Sequence, residues 1–254
     1  MLTDFFVTKI GMTQAWTKNG KRLAVTRVQA GVNNIVGKKE TLVLDKNSKT
    51  REQLSCTILE VGFGAKKLKN MTKPLRARLE KSGFSSGFKN IKGARVFGDA
   101  SLYEVGQQVS LASILEVGDV VSVQGFIKGR GFAGAMKKHG FHGGPATHGQ
   151  SDRARAVGSI GAGTTPGRVW MGKKMPGHYG NVAKSVAGLV VLHIEESTGE
   201  IWLSGPIPGS IMSDIKISKS GKKKHVELDR KASGLPEQAV AQIAEEVAET
   251  ESAE

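Results

Sequence analysis

The chain has 254 residues, with 37 lysines and arginines against 23 acids, a formal net charge of +14, 39% hydrophobic residues and 6% aromatic residues. That length holds one sizeable domain or two small ones at about 150 residues per domain, and the apolar content suits a modest core with polar extensions. No uninterrupted apolar stretch approaches the roughly 20 residues of a transmembrane helix, and the positive excess points to a polyanion: RNA, DNA or an anionic membrane surface. Cys56 stands alone, which excludes an internal disulfide and a multi-cysteine metal knuckle. Met1-Leu2-Thr3-Asp4 lacks the basic and apolar regions of a secretory signal, so a cytoplasmic protein is expected.

Taken in order, the N-terminal part reads as short strands. Phe5 to Ile10 is aromatic and β-branched, Asn19-Gly20 is a two-residue hairpin signal, and Leu23 to Val28 follows with partial alternation. Asn33 to Val36, Thr41 to Leu44 and Ser55 to Val61 extend the series, and the spacing suggests a β-barrel or sandwich. Thr72, Pro74 and Gly83 frame a helix over Lys73–Lys81. Gly83, Gly87 and Gly93, interleaved with Lys89, Lys92 and Arg95, read as exposed basic loops, so residues 62–100 are expected to form a small insertion. Strands resume at Gln108 to Leu111 and Asp119 to Val123, and again at Leu189 to Ile194 and Ile201 to Ser204.

Between these lies Phe126–Gly180, with nine basic residues against one acid, Asp152, and 14 of the 33 glycines. A segment so poor in apolar side chains cannot bury a core of its own and is expected to be extended or disordered until a polyanion orders it. Nucleic acid is the leading candidate. After Ser218 a basic run, Lys219 to Lys224, gives way beyond Pro236 to six glutamates with no lysine or arginine, which reads as a disordered tail.

Several motifs in the basic segment invite sharper readings. Gly129-Arg130-Gly131-Phe132-Ala133-Gly134 matches a dinucleotide fingerprint, but glycine-rich sequence follows where that fold needs a long helix. The glycines Gly129, Gly131, Gly134, Gly161 and Gly167 instead suit close approach of backbone to a sugar–phosphate chain. His139, His142, His148 and His178 have no cysteine and only Asp152 beside them, so metal is not expected. Ser151-Asp152 near His148 lacks a nucleophile elbow. No cofactor, no small-molecule substrate and no catalysis are expected. The candidate RNA-binding residues are Lys128, Arg130, Lys137, Lys138, His139, Phe141, His142, His148, Arg153, Arg155, Arg168, Trp170, Lys173 and Lys174. For Phe141 and Trp170, stacking on bases and local packing both stay open.

Lys9-Ile10-Gly11-Met12-Thr13-Gln14, Gly118-Asp119-Val120-Val121, Lys128 to Gly134, Thr147-His148-Gly149, Gly158-Ser159-Ile160-Gly161, Thr165-Pro166-Gly167-Arg168-Val169, Gly172-Lys173-Lys174-Met175 and Gly205-Pro206-Ile207-Pro208-Gly209 occur in one order. Together they resemble the bacterial large-subunit ribosomal protein L-three family, over about residues 2–217. The resemblance implies a mainly β fold: a translation-protein-type β-barrel, residues 1–125 with 181–217, carrying a small α/β insertion. A long irregular finger, residues 126–180, would thread large-subunit ribosomal RNA toward the peptidyl-transferase centre. It also implies a structural role in early subunit assembly, with ribosomal RNA and neighbouring large-subunit proteins as partners and no membrane. Two departures follow from the residues. His139 stands where some members carry a tryptophan, and Ala162-Gly163-Thr164 stands where some carry a methylated glutamine, so that modification is expected to be absent. The rivals are an enzyme acting on RNA through the histidine-rich segment and a free nucleic-acid chaperone.

Overall fold

A computed structural model of the chain describes residues 2–44, 53–97, 102–111, 113–195 and 197–235. The acidic stretch from Pro236 lies outside the described residues. Those described fall into two compact units, one built from the chain up to Gly125 and again from Ser185, the other from Phe126–Lys184.

The first unit begins with a hairpin, β1 (Asp4–Thr17) and β2 (Arg22–Ala30), turned at Asn19-Gly20 where Gly20 takes a φ of +71°. β1 slips register between Lys9 and Gly11, a bulge that lets so long a strand bend. With β7 (Asp119–Phe126), β10 (Ala183–Glu195), β11 (Glu200–Ser204) and β12 (Asp214–Lys223) it makes a sheet in the order β12-β7-β10-β11-β2-β1, and β12 also pairs with β1. That last pairing, which sets Phe5 opposite Ile217 and Val7 opposite Ile215, closes the sheet into a barrel. Short β13 (Leu228–Asp229) extends it at Trp16 and Thr17.

The sequence assigns the strand material from Asn33 to Val61 to the barrel and the basic glycines after it to loops. The structure corrects both. β3 (Asn33–Leu44), β4 (Gln53–Lys66) and β5 (Gly87–Phe97), with two-residue β6 (Gln108–Val109), form a separate four-stranded sheet. β5 pairs along most of β4, from Cys56 opposite Phe97 to Lys66 opposite Gly87, so the glycines between its lysines lie in a strand. Gly62 and Gly93 are tightly packed there: a Cβ at Gly62 would lie 2.6 Å from the Phe88 ring and one at Gly93 2.9 Å from Ile58, so a side chain at either would push a neighbour aside. Helix α1 (Lys73–Lys81) has the expected bounds, with Pro74 in its first turn, although the Thr72 side chain makes no cap hydrogen bond. It covers Val36 and Phe88 with Leu79.

Ile35, Leu59, Val61, Phe63, Ala94 and Val96 of the second sheet share one core with Phe5, Phe6, Val123, Val191, Leu203 and Ile215 of the barrel. Phe6 and Phe63 stack at 5.1 Å and 9°, with the Lys92 ammonium over both rings. Burial lowers the Lys92 pKa, opposed by the attraction of Asp214.

A second correction concerns the chain after Ser218. Up to Leu235 it is folded rather than a free tail. Lys216 to Lys219 stay paired with β7, and Lys223 pairs with Asp119. Val226, Leu228 and Leu235 then pack on Val190, Leu192 and Trp202. The reason lies in β10. In the apolar run Leu189–Leu192, Leu189 and Val191 enter the main core while Val190 and Leu192 face the other way and need a cover.

His193, beside this cover, is 7% exposed, meets the Trp202 ring edge-on at 5.9 Å and has no hydrogen-bond partner at Nε2. Burial lowers its pKa, as does the positive charge of Arg230, with Glu195 and Glu200 opposing. The folded chain therefore holds this proton less tightly than the unfolded chain. Stability is complete above the ordinary histidine value of about 6.5 and declines as the pH falls below it. The melting temperature is expected to drop between pH 7.5 and pH 5, with a smaller drop in His193→Phe; equal drops would remove His193 as the cause.

Candidate nucleic-acid interface

The second unit starts as a two-chain ladder. The Ile127 N–H donates to the Val182 carbonyl at 3.1 Å and the Asn181 N–H to the Ile127 carbonyl at 3.1 Å. Arg130 N–H then donates to Tyr179 (2.8 Å) and Tyr179 N–H to Gly131 (2.9 Å). β8 (Phe132–Ala133) and β9 (Gly177–His178) continue the pairing. Side chains follow the ladder: the Arg130 guanidinium lies 5.3 Å from the centre of the Tyr179 ring, and Phe132 meets His178 edge-on at 6.0 Å.

Helix α2 (Ala135–His139) comes next, ended by Gly140 in the left-handed region, whose N–H reaches the Met136 carbonyl. Lys137, Lys138 and His139 occupy its last turn, where cations meet the negative end of the helix dipole. His139 is tied by Nε2 to the Met175 carbonyl at 3.1 Å, and its ring lies 6.0 Å from Phe141. Arg168 lies 5.7 Å from the centre of the Trp170 ring.

The candidate residues are therefore not gathered at a catalytic point. They are strung along an exposed surface. Lys128, Arg130, Lys137, His142, His148, Arg153, Arg155, Arg168, Trp170, Lys173 and Lys174 are exposed, while Lys138, His139 and Phe141 are half-buried. Phe126–Lys184 holds ten lysines and arginines against the single acid Asp152. Its one ion pair among the described residues, Arg153 with Asp152, is 3.9 Å long with both side chains 80% exposed, so it compensates little. Among the described residues no three His, Cys, Asp or Glu side chains converge as metal ligands.

Apolar burial in this unit is slight. Ala133 and Ala135 are its buried apolar residues among those described, while Phe132, Trp170 and Met171 are 72%, 61% and 101% exposed. Exposed rings amid unpaired cations are what stacking on unpaired bases requires.

The glycines divide in a way that composition does not reveal. A Cβ at Gly131, Gly134 or Gly161 would meet nothing within 4 Å, and one at Gly129 only an ordinary contact at 3.6 Å. At Gly167 it would lie 3.2 Å from the Thr164 carbonyl. The tight positions are others. A Cβ at Gly143 would lie 2.1 Å from the Ala154 oxygen, at Gly144 2.9 Å from the Arg153 oxygen, and at Gly180 2.2 Å from the Lys128 oxygen. Sequence reasoning passes over these three because their neighbours are distant in the chain. The one local signal is the doublet Gly143-Gly144.

The family model described as Ribosomal protein L3 matches residues 97–203. The large ribosomal subunit protein uL3 of Herpetosiphon aurantiacus is 38% identical over 223 residues, covering 87% of this chain and 98% of that protein. The uL3 of Brachyspira hyodysenteriae is 38% identical over 85% of this chain and 94% of its own length. That of Dehalococcoides mccartyi is 37% identical over 87% of this chain and its full length.

Proposed function

Because this chain belongs to the ribosomal protein L3 family, and is thus a structural constituent of the large ribosomal subunit and not an enzyme, we propose that its second unit is the part that binds large-subunit ribosomal RNA. The observation that carries this reading is ten basic residues with one exposed acid among them, on a segment that buries almost no apolar surface. Lys128, Arg130, Lys137, Lys138, Arg153, Arg155, Arg168, Lys173 and Lys174 neutralise phosphates. Phe141, Trp170 and the histidines His139, His142 and His148 meet unpaired bases or donate to phosphate oxygens. Gly129, Gly131, Gly134, Gly161 and Gly167, with open space or only light contact around most of them, let the backbone approach the sugar–phosphate chain. In the subunit this unit reaches toward the peptidyl-transferase centre, neighbouring large-subunit proteins are further partners, and binding occurs early in assembly. Among the described residues no helix is long and apolar enough to cross a membrane.

Filter binding of the full chain to large-subunit ribosomal RNA across a salt series tests the reading. Each phosphate neutralised releases about 0.7–0.9 counterion, so replacing Lys137, Lys138, Arg153 and Arg155 together by glutamine is expected to flatten the log–log salt slope by about 3. An unchanged slope would move the binding surface off this unit.

A further inference from the structure

Residues 140–144 of the second unit, with Arg153, Ala156, Val157 and Gly158, line an open surface hollow of about 470 Å³, within the roughly 300–1,000 Å³ range of sites that hold a small molecule. Phe141, Ala156 and Val157 supply apolar wall, and His142 and Arg153 supply nitrogen donors on the same lining. We propose that this hollow takes one unstacked nucleobase of the ribosomal RNA, a contact that rests on the RNA-binding reading above but is distinct from phosphate neutralisation.

Three features favour a base over a protein side chain. First, the lining pairs an aromatic ring with nearby hydrogen-bond donors, the combination by which an extruded base is stacked and its edge read. Second, the surroundings are cationic. Arg153 is on the lining itself, and Arg155, Lys137 and Lys138 are close to it in the chain, so a nucleotide's phosphate finds charge beside the ring that its base stacks on. Third, the hollow is held in shape. Gly143 and Gly144 run so close to the carbonyls of Ala154 and Arg153 that no side chain fits between, so the two segments that line the hollow are packed backbone to backbone. Phe141 packs with His139, itself hydrogen-bonded to the Met175 carbonyl, so the ring is braced before any RNA arrives. A hollow already shaped by these contacts spares the ordering that a flexible loop would need on binding.

The test separates this contact from the charge reading. Ala156→Trp fills the hollow without altering charge. Full-length variant and parent are titrated with large-subunit ribosomal RNA at several salt concentrations, and the bound RNA is probed at its base edges with dimethyl sulfate. Loss of one base–aromatic stack is expected to weaken binding roughly 5- to 150-fold with the salt slope unchanged, and to expose one or two nucleotides that the parent protects. Phe141→Leu, which removes the ring and keeps an apolar wall, carries the same expectation if circular dichroism shows Ala156→Trp to be misfolded. Parental affinity and footprint in the folded variants would overturn the proposal, as would a slope that falls with the affinity. A parent chain without salt-dependent binding would instead overturn the RNA-binding reading beneath it.

Discussion

Lys219→Met is expected to cost up to about 3–5 kcal/mol of folding stability, the range for stripping one partner from a buried ion pair, with the partly exposed ammonium placing it toward the lower end. Asp119 opens β7 with its side chain wholly buried, and its Oδ2 lies 2.8 Å from the Lys219 ammonium. The same oxygen accepts the Glu116 N–H at 2.9 Å, while Oδ1 has no partner. Lys219 also donates to the Ile114 carbonyl at 3.3 Å. Methionine keeps much of the stem's packing and removes the charge, leaving a carboxylate in the core with one hydrogen bond. Urea unfolding should show a lower midpoint with unchanged slope. Asp119→Asn in the same chain should recover part of the loss, since no net charge is then buried. Truncation after Ser218 removes Lys219 and also uncovers Val190, Leu192 and Trp202, so it should cost at least as much relative to a chain ending at Leu235. A truncated chain that unfolds at the same urea concentration as that reference would refute the role assigned to Lys219 and to the cover.

Elements whose signals lie in neighbouring residues are legible in the sequence. Phe5 to Ile10, Asn19-Gly20, Leu189 to Ile194 and the frame of Thr72, Pro74 and Gly83 each carry their element in a few neighbouring residues. What depends on distant partners was not legible. Which sheet a strand joins is decided by registers such as Glu60 opposite Gly93, and Gly93 reads as a loop until Ile58 is known to press on it. The basic run Lys219 to Lys224 reads as solvated because Asp119, which makes one of those lysines structural, lies a hundred residues earlier. One long-range signal does lie in the sequence. A strand apolar on both faces, as at Leu189 to Leu192, must be covered twice, and the segment from Val226 to Leu235 is that second cover. At the candidate interface, charge and glycine content were legible because they are sums over residues. The hollow beside Phe141 was not, because it exists only where Gly143 meets Ala154.

Gly180→Ala is expected to disorder the entry to the second unit while leaving the barrel intact. Gly180 has a φ of +80°, which costs a residue with a side chain about 1–3 kcal/mol. In addition, its Cβ would stand 2.2 Å from the Lys128 oxygen and 2.9 Å from the Gly129 Cα, both backbone atoms that cannot swing aside. Relief requires the two chains to part, and the bonds that join them lie on either side: Asn181 to Ile127 and Tyr179 to Gly131. Gly131→Ala is the matched control. It carries the same kind of conformation, φ +65°, but its Cβ would meet nothing within 4 Å, so only the backbone term applies. Trypsin should cut Gly180→Ala at Lys128 and Arg130 faster than Gly131→Ala, and Gly131→Ala faster than the parent. The main thermal transition, which reports the barrel core, should stay near the parental value in both. Binding to large-subunit ribosomal RNA should weaken in the same order as the cutting, since cations held along a paired ladder present a fixed array to phosphate and cations on parted chains must be ordered first. Equal cleavage of the two variants would mean that the approach of Gly180 to Lys128 does not hold the ladder together.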